Sequence, residues 1–148
     1  MVEIRRMERD DIARVAEIER LCFADPWSER AFEFLLDGKN IGFVALVDGV
    51  IAAYAGLICV LDEGQIANVA VHPDYRRQGL AREILNTVDA YSVENGIVLL
   101  SLEVRASNTA ARALYESLGW QSVGIRKGFY SHPTEDAIIM IKDFLKGN

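Results

Sequence analysis

The chain is poor in the residues that build metal centres and disulfide frameworks. Its 148 residues include two cysteines, Cys22 and Cys59, and two histidines, His72 and His132. The cysteines have neither metal nor redox spacing, and are expected to be reduced core thiols of a cytoplasmic protein. No His/Cys/Asp cluster has metal-site spacing, so no metal is expected. His72 precedes a proline at a strand end and His132 lies in a loop before another; both read as structural. No apolar run reaches about 18 residues, and no charged-then-apolar leader precedes a cleavage site, so neither a membrane span nor a signal segment is expected. Positive charge is not in excess either. The formal net charge is -6 and the sequence pI ≈ 4.9, which argues against a broad nucleic-acid surface and favours cationic partners. Neither common glycine-rich phosphate loop, G-x-G-x-x-G or G-x-x-x-x-G-K-S/T, occurs. Without repeats, low-complexity stretches or linkers, residues 1–148 are expected to form one domain.

What remains is a globular composition, 51% hydrophobic and 26% charged. Val2 to Met7 alternates as a strand. Asp10 or Asp11 can cap a helix whose apolar face carries Ile12, Val15, Ile18 and Cys22. Ser28 and Glu29 open a second short helix bearing Phe32 and Leu35. Ile41 to Val47 and Val50 to Leu61 flank Asp48-Gly49, a pair suited to a type I′ hairpin turn. A turn at Asp62-Glu63-Gly64 then precedes a strand over Gln65 to Val71. A helix with Leu80, Ala81, Ile84, Leu85 and Val88 on one face ends at Asn95-Gly96. The strand Val98 to Val104 leads to a helix capped by Ser107 or Asn108, with Ala111, Leu114, Tyr115 and Leu118 on its stripe. Trp120 to Arg126 and Ala137 to Phe144 form a terminal strand pair, with Lys127 to Asp136 between them. This order gives an α/β or α+β fold with a mixed sheet.

Two places carry chemistry. The first is Asn68-Val69-Ala70-Val71 running into His72-Pro73-Asp74-Tyr75-Arg76-Arg77-Gln78-Gly79-Leu80-Ala81, where an apolar strand ends in a glycine turn and a helix begins. Unpaired amides at a helix start and the helix dipole favour an anion there. Gly79 permits close approach of the main chain, and Arg76, Arg77 and Arg82 supply charge for phosphate oxygens. A diphosphate-bearing ligand fits; so does an ordinary solvated turn. The second is the pair Glu103 and Tyr115. Period-two alternation puts Leu100, Leu102 and Val104 on one face of their strand, and Ser101, Glu103 and Arg105 on the other. A partly desolvated Glu103 could serve as a general base, or it could be a surface carboxylate beside Arg105. Tyr115 points inward, as a proton donor or as a core aromatic. Trp27 and Tyr130 each read either as walls of a substrate groove or as packing residues. Asp62, Glu63, Glu135 and Asp136 could receive a basic peptide, or simply be solvated.

At these residues the chain resembles a known superfamily. Arg76-Arg77-Gln78-Gly79-Leu80-Ala81 is similar to the R/Q-x-x-G-x-G/A acyl-CoA loop of the GNAT N-acetyltransferases, with Ala81 in place of the commoner second glycine. Leu102-Glu103-Val104-Arg105-Ala106-Ser107-Asn108, Ala113-Leu114-Tyr115-Glu116, Pro26-Trp27-Ser28, Ile125 to Tyr130 and Glu135 to Met140 resemble the RimI-type ribosomal-protein alanine N-acetyltransferases within it, with Trp120 where a Phe is usual. The resemblance covers essentially the whole chain. It implies a mostly antiparallel sheet flanked by helices and splayed between the fourth and fifth strands. It implies acetyl-CoA as co-substrate, bound by Val69, Ala70, Val71, Arg76, Arg77, Gln78, Gly79, Leu80, Ala81, Arg82 and Asn108, with Glu103 as base and Tyr115 as acid. Trp27 and Tyr130 would contact the substrate. That substrate would be the N-terminal peptide of a ribosomal small-subunit protein, of basic character and beginning with alanine. Acetylation of lysine or a polyamine, and non-catalytic acyl-CoA binding, are the alternatives. No direct nucleic-acid or membrane contact is implied, and a monomer or weak dimer is expected.

Overall fold

Alternating strands bury one side chain in two on each face, and here helices cover both faces of a seven-stranded sheet. The structure, a computed structural model, describes residues 1–146. In chain order the elements are β1 (Val2–Arg6), α1 (Ile12–Cys22), α2 (Glu29–Phe32), β2 (Ile41–Val47), β3 (Val50–Val60), β4 (Glu63–Val71), α3 (Leu80–Glu94), β5 (Leu99–Arg105), α4 (Thr109–Ser117), β6 (Gln121–Tyr130) and β7 (Glu135–Asp143). The strand order is β1-β2-β3-β4-β5-β7-β6, antiparallel throughout except for β4 against β5. One core, containing Phe43, Ala45, Ile84, Val88, Leu100 and Tyr115, lies under α3 and α4. The other, containing Val15, Ile18, Phe32, Val44, Leu46 and Tyr54, lies under α1 and α2.

Local chemistry sets most boundaries. Asp48 (φ 50) and Gly49 (φ 85) take the two positive φ values that a type I′ turn requires. Ser28 Oγ and Asn108 Oδ1 accept from the amides of Ala31 (3.2 Å) and Ala111 (3.1 Å), capping α2 and α4. Asp11 precedes α1 but does not cap it; its carboxylate accepts from the Glu8 amide (2.7 Å) and from Arg5. The second short helix is a single α-turn continued by a 3-10 segment, Glu33–Leu36.

Two boundaries differ from the sequence reading. The turn after β3 is Leu61-Asp62, and Gly64 lies inside β4. A Cβ on Gly64 would come 2.9 Å from Leu57 and 3.0 Å from Leu100, so this glycine permits close side-chain packing where β4 meets β5. Lys127 to Tyr130 belongs to β6 because Gly128 (φ 61) is absorbed in a register irregularity between Arg126 and Tyr130.

The feature that makes a site is a split in the sheet. β4 pairs with β5 only over Glu63–Gln65 and Leu99–Ser101. Beyond that the two strands diverge, as the family resemblance implies. Ala67 is an extra residue in β4, since Asn68 faces Gly56 and Ile66 faces Leu57. This bulge places Ile66 in the α3-side core, turns Asn68 and Ala70 to the α1 side, and returns Val69 to the α3 side.

Candidate active site

The split opens into a groove of ≈ 820 Å³. Ile66 to Val69 form one edge and Leu102 to Arg105 the other. The end of α1 and the Phe23–Trp27 stretch close one side, Asn108, Ala111 and Tyr115 of α4 another, and Phe129 to Glu135 the third.

The hydrogen-bond phase of β4 decides what the first edge can offer. The His72 amide donates to Ala52 O (2.8 Å), so the Tyr54–Ala70 and Gly56–Asn68 pairs are the ones that exchange main-chain bonds. The main-chain groups of Val69 and Val71 therefore point away from β3, toward the split. Val71 O already accepts from Arg76 Nε (3.3 Å) and Cys22 Sγ (3.5 Å). Ala70 is placed differently from Val69 and Val71. Its main chain is committed to β3 and its side chain is buried under α1, so it has nothing to give a ligand in the split.

Glu103 projects from the second edge with its side chain 15% exposed. Gln65 Nε2 donates to Oε1 (3.0 Å) and Arg126 Nε to Oε2 (3.0 Å). Arg126, not the adjacent Arg105, is thus its cationic partner; Arg105 instead pairs with Glu135 (3.1 Å) and lies over the Tyr130 ring at 4.5 Å. Tyr115 packs in the core shared by Leu102 and Val104, on the other face of β5 from Glu103. Both nevertheless line one groove, because that groove passes through the split. Tyr130 stands near both. Burial, reinforced by the Glu103 charge, pushes its phenol up to about 12. Burial, reinforced by Tyr130, also raises Tyr115 well above an ordinary phenol, so it is protonated at neutral pH.

The glycine turn lies beyond the groove's lining, on the surface that leads into α3. Gly79 (φ 78) is the residue before the helix, with no side chain capping it. Arg77 shares the left-handed conformation (φ 66). Among the described residues, the amides of Arg76 to Arg82 find no acceptor within the protein, whereas Glu83 N already bonds Gly79 O (3.1 Å). That is an open row of donors at the positive end of a 15-residue helix. Not every side chain there faces a ligand. Leu80 is buried in the core, Arg76 turns back to Val71 O and Cys22, and Arg82 Nη2 donates to Ser117 Oγ (3.1 Å), tying α3 to α4. Arg77 and Gln78 are exposed. Asn108 Oδ1 is engaged in capping, which leaves Nδ2 for a ligand.

Trp27 packs its ring against Phe32 at 5.3 Å and also lines the groove. Of the acidic candidates, only Glu135 lines the groove, and it accepts from the Ser107 amide (2.6 Å) as well as from Arg105. Asp136 holds the Gly128 amide (2.9 Å), and Asp62 and Glu63 lie outside the lining. His132 lies, as expected, in the turn between β6 and β7, where it is exposed. Its Nδ1 meets Asp25 at 3.1 Å, joining two walls of the groove. Among the described residues, no group of three or more His, Cys, Asp or Glu converges as a metal site. The sequence reading missed Glu19 and Asn68, two buried polar residues at the groove. Glu19 had a visible signal, a charge on the stripe formed by Val15, Ile18 and Cys22.

A split mixed sheet, free strand amides at the split and an open amide row at the following helix define an acyl-CoA-dependent transferase, and the chain belongs to the acetyltransferase (GNAT) family, whose profile matches residues 12–120. Its relatives include the ribosomal protein bS18-alanine N-acetyltransferase of Escherichia coli K12, 43% identical over 144 residues, covering 95% of this chain and 96% of that protein. A putative enzyme of the same name from Bacillus subtilis is 39% identical over 139 residues, covering 93% and 92%. The crystal structure of the Escherichia coli ribosomal-protein-S18-alanine N-acetyltransferase superposes with a TM-score of 0.91 at 41% identity, covering 97% of this chain and 94% of that one.

Proposed function

We propose that residues 1–148 act as a single acetyltransferase domain that moves the acetyl group of acetyl-CoA to the α-amine of a protein N-terminus, and that the substrate is the N-terminal alanine of a ribosomal small-subunit protein in the cytoplasm. The observation that carries this is the split between β4 and β5, where the free Val69 main chain, Glu103 and Tyr115 meet in one groove. The names of the relatives support the choice of substrate.

In this reading the pyrophosphate of acetyl-CoA rests on the amides of Arg76 to Arg82, with Arg77 and Gln78 beside it. Its pantetheine follows β4 past Val71, and Asn108 Nδ2 hydrogen-bonds it. The thioester lies in the split, and the Val69 N–H donates to its carbonyl oxygen as charge builds there. The amine enters between Trp27 and Tyr130. Glu103 takes the ammonium proton, directly or through water, because only the neutral amine attacks. Tyr115, held as a phenol, gives a proton to the thiolate as the C–S bond breaks, and the proton that the acylated nitrogen then sheds restores the phenol. An α-amine of reference pKa about 7.7–8.0 needs about 3 kcal/mol less deprotonation work at neutral pH than a lysine of about 10.4.

Glu19, Asp25, Glu103 and Glu135 against Arg105 leave the groove lining net negative, which suits a cationic, basic N-terminus. The test is mass spectrometry of an alanine-starting peptide that also contains a lysine, after incubation with acetyl-CoA. Acetyl on the α-amine is expected. Acetyl on the lysine alone overturns the reading, as does no transfer at all.

A further inference from the structure

Beneath the Trp27 wall lies a carboxylate that this mechanism does not use. Glu19, near the end of α1, is 1% exposed. It accepts from Asn68 Nδ2 (3.2 and 3.1 Å), from the Trp27 amide (2.9 Å) and from the Tyr54 hydroxyl. All of these donors are neutral, and among the described residues no basic side chain pairs with Glu19. A buried carboxylate without a cation retains most of its desolvation cost. A second cost sits beside it: Asn68 Oδ1 is buried and has no partner. An apolar pair would be easier to bury at both positions, so stability alone does not account for these residues.

Their placement does. Asn68 is the first residue after the Ala67 bulge and the neighbour of Val69, whose amide faces the split. The Trp27 amide belongs to the wall on the amine side. Tyr54 anchors the carboxylate to β3, the one strand that pairs with β4 along its whole length. One carboxylate thereby joins the strand that carries the acetyl-binding amide to the loop that carries the amine-side wall.

We propose that Glu19 is a positioning residue for acetyl transfer, setting the bulged strand at Asn68 and Val69 and the Trp27 loop at a fixed separation across the groove. This rests on the acetyltransferase reading of that groove. It makes no contact with the pyrophosphate turn, so it governs turnover and not the grip on acetyl-CoA.

The experiment uses the full chain with acetyl-CoA and an alanine-starting peptide, following thiol release and thermal unfolding. Glu19→Gln keeps the side-chain volume but puts an NH2 in place of one carboxylate oxygen, so it faces Asn68 Nδ2 and either the Trp27 amide or the Tyr54 hydroxyl with a donor where an acceptor stood. Its kcat is expected to fall at least tenfold, with KM for acetyl-CoA within twofold. The control is Asp11→Asn, which breaks another buried carboxylate cluster, with Arg5 and Glu8, away from the groove. It should melt earlier yet keep kcat within threefold. If Glu19→Gln does not fold, Asn68→Ala replaces it, keeping the Trp27 and Tyr54 bonds while cutting the link to β4, with the same expected kcat loss. Wild-type kcat in the Gln variant, or in Asn68→Ala where that stands in, overturns the role of Glu19, as does an equal loss in Asp11→Asn. If the wild-type chain releases no thiol, it is the proposed function that fails, and the role of Glu19 with it.

Discussion

At the scale of single residues, the two proton carriers differ in what holds them. Among the described residues, the Tyr115 side chain is held by packing alone, against Trp120 at 5.8 Å and the α3-side core. Tyr115→Phe therefore keeps the fold and removes only the hydroxyl. Steady-state kinetics should show kcat down about 100-fold, the range of general acid catalysis, with KM for acetyl-CoA unchanged. Unaltered turnover would remove the phenol from the reaction. Glu103 is held by two donors, so Glu103→Gln keeps a contact with Gln65 but sets an amide against Arg126. A kcat loss of about 100-fold and a flatter rise of rate with pH are expected, because one proton acceptor has gone. A pH–rate profile of wild-type shape would mean that another group takes the proton.

At the scale of elements, glycines act in two distinct ways. Gly79 has open space around a built Cβ and a φ of +78, so Gly79→Val is opposed by backbone conformation, not by collision. Forcing a β-branched residue there costs about 1–2 kcal/mol, or turns the amide row away. Acetyl-CoA affinity measured by calorimetry should drop about tenfold, with a melting temperature lower by roughly 2–8 °C. Gly64 is the reverse, with no strained φ and no room. Gly64→Ala should lower stability in urea unfolding by about 1–3 kcal/mol, because Leu57 and Leu100 must move. The sequence showed the Asp48-Gly49 hairpin, the Gly79 turn and the alternation around Glu103, since each is a local pattern. It did not show that Gly64 sits within a strand, because the crowding comes from Leu100, 36 residues away. Nor could it show that Ala70 is committed to β3, since hydrogen-bond phase depends on the neighbouring strand. The Ala67 bulge leaves no mark in composition, and without it Asn68 and Glu19 cannot be paired by inspection.

At the scale of the whole molecule, charge pairs join distant parts of the chain. Burial acts to raise the Asp11 carboxyl, but the Arg5 guanidinium and the Glu8 amide outweigh it and hold the group below the usual carboxylate range. A depressed folded pKa contributes stability above the unfolded value of about 3.9, and that stability is lost as the pH falls through and below it. Asp11→Asn should therefore cost about 1–2 kcal/mol at pH 7, with the gap to wild type narrowing in paired melting curves as the pH falls below the unfolded value of about 3.9. A gap that is constant with pH would mean that packing, not charge, supports this corner. Glu135, lowered by the Ser107 amide and Arg105, adds to the same acid sensitivity at the groove wall.

One supernumerary residue sets the phase of everything downstream in the fourth strand. Were Ala67 paired in a regular ladder and not bulged out of it, the parity of the strand would be reversed from residue 68 onward. The amide of Asn68 would meet the oily underside of α3, Val69 would face α1, and Glu19 would be left without its partner. Drawing Ala67 into the ladder would thus scramble which half of the reaction each face of the sheet can serve, whereas deleting it would leave the Leu57–Ile66 and Gly56–Asn68 pairs, and both facings, as they are.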